Sequence, residues 1–244
     1  MKKVKVNGAY EIVLPEHRAE RPEWYTAKGW EKKRLRRLRQ TIQDQKNPVV
    51  YYVGAEEGEM CALCSIWGAK VLMFEPNAKV MPNIKAIWQA NNLPLDDLFF
   101  PGFAGNEIKD SQDFIKVSDI EGEVISNHGF KELQANNITH LPVTTIDAVA
   151  ERFTPPTIIT MDVEGAEFEV LKGSEKVIER YKPVILLSLH PEFLIQFWGI
   201  YSRDVRNWII DKGYTEELIE YEHEVHLIYD ANEKLVKELK NGKN

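Results

Sequence analysis

Val49-Val50-Tyr51-Tyr52-Val53-Gly54-Ala55-Glu56-Glu57-Gly58, followed by Val71-Leu72-Met73-Phe74-Glu75-Pro76, decides the fold. The first stretch is an apolar strand ending in a glycine-punctuated turn, and the second is an apolar strand ending in a carboxylate. Between them Gly58–Trp67 reads as a short helix that Gly68 ends. Only glycine lets backbone come close to a ligand at the first turn, and an acid after the second strand can accept both hydroxyl protons of a ribose. Gly54 and Glu75 stand at the spacing of roughly 20 residues that such a unit requires. Together they predict a nucleoside-containing cofactor with Glu75 on its ribose.

Downstream the same alternation continues. An amphipathic helix carries Val80, Met81, Ile84, Ile87 and Trp88, with Pro82 in its first turn. Leu98–Phe100 makes a third strand, and Phe114–Val117 with Glu123–Ile125 suggests an inserted hairpin around Glu121-Gly122. The polar stretch Ser126–Asn137 would be a loop over the pocket. A short helix ends at Arg152, and strand four, Thr157–Met161, ends at Asp162. Gly165 opens the next helix. Strand five, Pro183–Leu189, is a continuous apolar run ending at His190, as in a strand buried on both faces. A helix over Asp204–Lys212 and an antiparallel pair, Glu217–Tyr221 with Glu224–Tyr229, complete the pattern. Alternating strands and helices predict an α/β fold whose mostly parallel sheet has helices on both faces. Ligands in such sheets sit beyond the carboxyl ends of the strands, where strand order reverses. Gly54–Gly58, Glu75–Asn77, Phe103–Gly105, Asp162–Gly165 and His190 all follow strands and are expected to meet there.

The 244 residues suffice for one large α/β domain with additions. Two parts are expected: an N-terminal extension over 1–47 and a cofactor-binding domain over 48–244. The extension begins with an extended lead-in to residue 22. It continues in a helix from Trp24 to Gln45 with a basic run at Lys32–Arg34, Arg36, Arg37 and Arg39. That run is either a solvated face or a lid drawing an anionic substrate to the site. A net charge of −7, from 31 basic and 38 acidic residues, argues against broad nucleic-acid binding. No apolar run is long enough to span a bilayer, and Met1–Lys5 precedes no signal-peptide core, so a cytoplasmic location is expected. Cys61 and Cys64 lack a second pair to complete a zinc site and are expected to pack inside a helix.

Ile159-Thr160-Met161-Asp162-Val163-Glu164-Gly165-Ala166-Glu167-Phe168-Glu169-Val170-Leu171-Lys172-Gly173 closely resembles the "IDVEGAE-x-x-VLKG" signature of FkbM-type S-adenosylmethionine-dependent methyltransferases. Val53-Gly54-Ala55-x-x-Gly58 is similar to that family's "DVGANIG" turn, and Phe74-Glu75-Pro76 to its "FEP". Pro142–Asp147 resembles its "V-T-LD" segment and Leu189-His190-Pro191 its "E-x-HP" strand end. The likeness runs over about residues 48–214. It implies a Rossmann-like methyltransferase fold with a seven-stranded sheet and S-adenosyl-L-methionine across the strand ends. The cofactor would contact Gly54, Ala55, Glu56, Gly58, Glu75, Pro76, Ala104 and Asp162. The acceptor would be a hydroxyl on a small molecule or glycan. The chain departs from the family at Tyr52, Glu56-Glu57 and Ser188, where Asp, Asn-Ile and Glu are usual.

An alcohol attacks a methyl sulfonium well only when a base or metal draws off its proton. Asp162 and Glu164 after strand four, and His190 after strand five, are the candidate catalytic residues. Each has a structural alternative: Asp162 binding its own turn, Glu164 capping the helix at Gly165, His190 merely closing a strand. Asp162 and His190 could also hold a divalent metal, but two ligands are too few, so none is assigned. Two further functions stay open. A nicotinamide oxidoreductase would need a Gly-x-Gly-x-x-Gly spacing that Gly54–Gly58 lacks. A non-catalytic binding protein on the same scaffold is suggested by Tyr52, Glu56 and Glu57. Homo-oligomers are compatible with the sequence without being specified by it.

Overall fold

The computed structural model describes residues 1–21, 29–110, 112–125, 141–221 and 224–231. The chain opens with an antiparallel hairpin of β1 (Lys2–Val6) and β2 (Tyr10–Leu14), which corrects the expected extended lead-in. Alternation in β1 buries Val4 and Val6 and leaves the three lysines exposed. Asn7 and Gly8 take the positive φ that this reversal needs. One helical turn, α1 (Glu16–Ala19), follows. The basic helix is realised as α2 (Lys32–Gln43); its expected beginning at 24–28 lies outside the described residues.

Next come β3 (Val49–Val53), α3 (Glu59–Ile66), β4 (Lys70–Phe74), α4 (Met81–Ala90) and β5 (Leu98–Phe100), in the expected order. Two short strands, β6 (Phe103–Ala104) and β7 (Ile115–Lys116), precede β8 (Val143–Thr144) and α5 (Ile146–Arg152). β9 (Ile158–Met161) leads into α6 (Glu167–Lys172) and α7 (Glu175–Tyr181), which divide the single expected helix at Gly173 and Ser174. β10 (Val184–Leu189) leads into α8 (Pro191–Trp198) and α9 (Ser202–Asp211), and β11 (Thr215–Tyr221) and β12 (Val225–Asp230) form the terminal pair. α8 is an addition to the expected elements, and Pro191 at its start is a standard opening residue. The hairpin expected over 114–125 does not form. β7 instead pairs antiparallel with β5, while the N–H and carbonyl of Ile125 both bond the Asn83 side chain. The expected loop at 126–137 lies outside the described residues.

The main sheet runs β11-β12-β10-β9-β3-β4-β5-β7. Its five central strands are parallel, and β12, β11 and β7 add antiparallel edges. The sheet is therefore mixed, and the two-residue β7 makes it one strand wider than expected. Val50 and Tyr52 face a layer containing the hairpin, α2, α3 and α4; Val49, Tyr51 and Val53 face α5, α6, α7 and α9. Leu35, Leu38 and Ile42 bury α2 in the first layer, each contributing about 1.5–3 kcal/mol. Cys61 and Cys64 are free and fully buried in that layer, and burial pushes both thiols up, away from the reactive thiolate. From β3 the chain builds outward to β4 and β5, then returns to place β9 on the other side of β3. The order therefore reverses between β3 and β9.

Candidate functional site at the carboxyl ends of the strands

At that reversal two turns touch. The N–H of Asp162 donates to the carbonyl of Val53 at 3.0 Å, and a Cβ on Gly54 would stand 1.9 Å from the Asp162 carbonyl oxygen. Gly54 has φ +86°, so the turn after β3 needs glycine for both space and conformation. Gly54 and Ala55 N–H groups donate to the Phe74 carbonyl at 2.9 and 3.0 Å, which sets the turn against the end of β4. There Glu75 is 5% exposed. Its Oε2 accepts from the Glu56 N–H at 3.0 Å and its Oε1 from the Asn77 N–H at 2.9 Å. Burial pushes the carboxyl up to about 7, and nearby Glu56 and Glu164 push the same way against the two N–H bonds. Asn77 is also buried, and its Nδ2 has no hydrogen-bond partner among the described residues. Glu56 and Glu164, one in each turn, both hold positive φ, a costly conformation for side chains of this type. Pro76 is half-buried beside Glu75, and Ala104 is buried at the end of β6. Behind Ala104 the Gly105 carbonyl lies against Gly173, where an added Cβ would come within 1.8 Å.

The N-terminal arm reaches the first turn. Arg18 of α1 is 1% exposed and pairs with Glu56 at 3.0 Å, with Glu57 at 3.5 Å and with Glu59. Glu57 also meets His17 Nε2 at 2.7 Å and Asn83 Nδ2 at 2.8 Å. Burial alone would raise Glu57, but Arg18, Asn83 and His17 outweigh it and hold the carboxyl below its ordinary range. The two carboxylates that replace the family's Asn-Ile are thus matched by a cation from the arm. A groove of about 530 Å³, lined by Met1, Pro15, Glu16, His17, Glu20 and Val124, adjoins this contact through His17.

Across β9 and β10 lies a second cluster. His190 Nδ1 is 2.7 Å from Glu167 Oε1, and its Nε2 is 2.7 Å from Glu224 Oε2 and 3.7 Å from Asp162 Oδ1. Glu167 and Glu224 are buried. Burial alone would lower the His190 imidazole, but hydrogen bonds to Glu167 and Glu224 and the charge of Asp162 hold it well above the usual histidine range. Burial raises the Asp162 carboxyl, reinforced by Glu224 and Glu31 and opposed by Arg34 and His190. Arg34, buried on α2, lies 3.8 Å from Asp162 Oδ2, donates to Thr160 Oγ1 at 3.3 Å and pairs with Glu31. The basic helix is therefore mostly a solvated face, with one arginine turned into the site. Burial keeps the Tyr52 phenol neutral beneath Arg34. Ser188 Oγ bonds His226 Nδ1 at 3.0 Å, so this departure is satisfied by its neighbour across β12. Phe193 stacks on His190 and Phe197 on Phe193, at 5.7 Å each, so α8 extends an aromatic face from the cluster.

Glu75, Asp162 and His190 are thus brought to one sheet edge, with Gly54, Ala55, Glu56 and Gly58 in the turn between. Glu164 is exposed beside them and does not cap Gly165; Glu167 Oε1 accepts that N–H at 3.0 Å. Arg18, Arg34, Glu167 and Glu224 were not singled out from sequence. Glu167, the acid of the Gly-Ala-Glu element in the long signature, carried a local sign, and Arg34 lay in the basic run read as a solvated face or a lid.

The methyltransferase FkbM domain family matches residues 49–216. Among solved structures, the methyltransferase FkbM from Methylobacillus flagellatus KT is similar, with 20% identity and a TM-score of 0.51 over 75% of this chain and 43% of that one. The bifunctional kinase-methyltransferase WbdD is similar at 13% identity and a TM-score of 0.50, over 87% of this chain and 42% of that one. The chain spans less than half the length of either structure, and at these identities the likeness concerns the fold. No curated protein matches it. No helix of the described residues is long and apolar enough to cross a membrane.

Proposed function

The chain belongs to the FkbM methyltransferase domain family, and from that membership we propose an S-adenosylmethionine-dependent O-methyltransferase acting on a hydroxyl of a sugar or another small polar metabolite. The observation that carries the reading is that the turn after β3, bonded by buried Glu75, touches the turn that carries Asp162 of the Asp162–His190 pair, where strand order reverses. The residues fit the cofactor. Each Glu75 oxygen accepts one backbone bond and keeps capacity for a ribose hydroxyl, and Asn77 Nδ2 awaits an acceptor. The acids Glu56, Glu75, Asp162 and Glu164 suit a ligand bearing a sulfonium and an amine.

When bound, S-adenosylmethionine supplies a methyl group on sulfur, which leaves as a neutral thioether when the acceptor oxygen takes the methyl. The chain's part is alignment and proton removal. Held above its usual range, His190 is a cation at neutral pH and a poor base. It orients Asp162 and opposes the rise that burial imposes on that carboxyl, and Asp162 takes the acceptor proton from its ionised form. Glu164 is the second acid at the mouth of the site. The aromatic face of Phe193 and Phe197 suits the apolar side of a sugar ring.

Asp162→Asn should retain S-adenosylhomocysteine binding and lose roughly 10²–10⁴-fold in turnover, with product detected as a mass gain of one CH2 on candidate acceptors. Tight binding of NAD with no affinity for S-adenosylhomocysteine would reject the reading. Full turnover by the variant would move the base elsewhere.

A further inference from the structure

We propose that Asp162, His190 and Glu224 bind one hard divalent cation, Mg²⁺ or Mn²⁺, at the carboxyl ends of β9 and β10. The role of that ion rests on the methyl-transfer reading; its binding does not. One ligand atom from each residue lies within 4.8 Å of the others. His190 Nε2 stands 2.7 Å from Glu224 Oε2 and 3.7 Å from Asp162 Oδ1. An octahedral ion with bonds of about 2.1 Å sets neighbouring ligands about 3 Å apart and opposite ones about 4.2 Å apart. The 2.7 Å separation is thus a few tenths of an ångström short of the neighbouring spacing, 3.7 Å lies between the two, and seating the ion takes only small side-chain shifts.

A second observation prepares the histidine for this task. Nδ1 is engaged by Glu167 Oε1, and Glu167 is fully buried and fixed by the Gly165 N–H. Metal-binding imidazoles are oriented in this way, with one nitrogen on a buried carboxylate and the other turned to the ion. Donation from Nδ1 to Glu167 leaves Nε2 facing two carboxylates, an arrangement that a proton or a metal ion must bridge.

The donors choose the class of ion. Two carboxylates and one imidazole form a hard, oxygen-rich set, and both cysteines are packed away on α3. Three protein ligands leave octahedral positions for water and an acceptor oxygen. Asp162 and His190 keep 26% and 13% of their side chains exposed, so the open positions face outward. The neighbouring trio Glu31, Glu224 and His226 is fully buried, and Arg34 is hydrogen-bonded to Glu31, whereas it stands 3.8 Å from Asp162 Oδ2 and leaves Oδ1 to the ion. The ion therefore belongs with Asp162 and His190. It would take the place of a proton on Nε2, and it would lower the pKa of a hydroxyl bound to it, releasing the acceptor proton towards Asp162 Oδ2.

Mn²⁺ titrated into the whole chain and followed by electron paramagnetic resonance should show one saturable site. Glu224→Gln and Asp162→Asn should each weaken it by more than the roughly 10–100-fold that loss of an outer partner costs. Circular dichroism on the same samples reports folding. If Glu224→Gln does not fold, the partly exposed Asp162 decides alone. Absence of a saturable site in the wild type, or an unchanged affinity in the folded variants, overturns the proposal. Calorimetry with S-adenosylhomocysteine separates the two readings. Nucleoside binding without Mn²⁺ rejects the cation site only, and Mn²⁺ binding without the nucleoside supports the site while rejecting the methyl-transfer reading.

Discussion

Protonation of Glu75 should govern cofactor affinity. The carboxyl is buried and pushed up to about 7, because the cost of burying its charge outweighs two backbone N–H bonds. A ribose diol donates two hydrogen bonds, and only the ionised carboxylate accepts both while keeping the Glu56 and Asn77 N–H groups. Near pH 5.5 roughly 3% of the groups are ionised, so affinity for S-adenosylhomocysteine should be about 30-fold weaker than above pH 8. That difference is about 2 kcal/mol. Binding at about pH 6.5 should also release a proton, which calorimetry in two buffers of unlike ionisation heat can count. Glu75→Gln cannot titrate, so the pH dependence should vanish. Affinity above pH 8 should fall about 10- to 100-fold, as loss of a charged hydrogen bond of about 1.5–3 kcal/mol requires. Folding responds in the opposite sense. The folded pKa lies above the ordinary 4.5, so the associated stability is complete below that pH and is lost as pH rises through about 7. The amount is about 3 kcal/mol for the free protein. An affinity that stays flat from about pH 5.5 to 8.5, or a Gln variant that follows the wild-type curve, would refute the ribose role.

Two other outcomes are expected. Arg18→Ala strips the shared cation from buried Glu57 and Glu59 and should lower stability by about 3–5 kcal/mol, read from the urea midpoint; an unchanged midpoint would show that the arm contributes no charge pairing. Gly54→Ala would drive a Cβ into the Asp162 carbonyl at positive φ, so at least about 2 kcal/mol of stability should be lost together with nucleoside binding. A soluble variant with native affinity would mean that the β3 and β9 turns are not in contact.

Much of the fold was written locally. Val49–Val53, Lys70–Phe74 and Val184–Leu189 are short apolar runs, and a run of that length between glycines, prolines or polar turns has few choices but to be a buried strand. Because ligands in such sheets gather where strands end, the same runs located Glu75, Asp162 and His190. The hairpin at the N-terminus is equally legible in the alternation Lys3-Val4-Lys5-Val6 before Asn7-Gly8, although the charges and prolines of residues 1–22 also fit an extended lead-in. At Glu123–Ile125 the apolar residues looked like a strand, but Asn83, far away in sequence, took the backbone groups that a strand partner would have used.

The sequence by itself determined the alternating layers, the parallel centre of the sheet and the acids at its edge, because strand period and turn chemistry act between near neighbours. Tertiary structure alone decided which charges meet. Arg18 reaches Glu57, Arg34 reaches Asp162 and Glu224 reaches His190 across dozens of residues. No local pattern encodes such partners, since a buried charge is matched by whatever the packing of distant elements brings beside it.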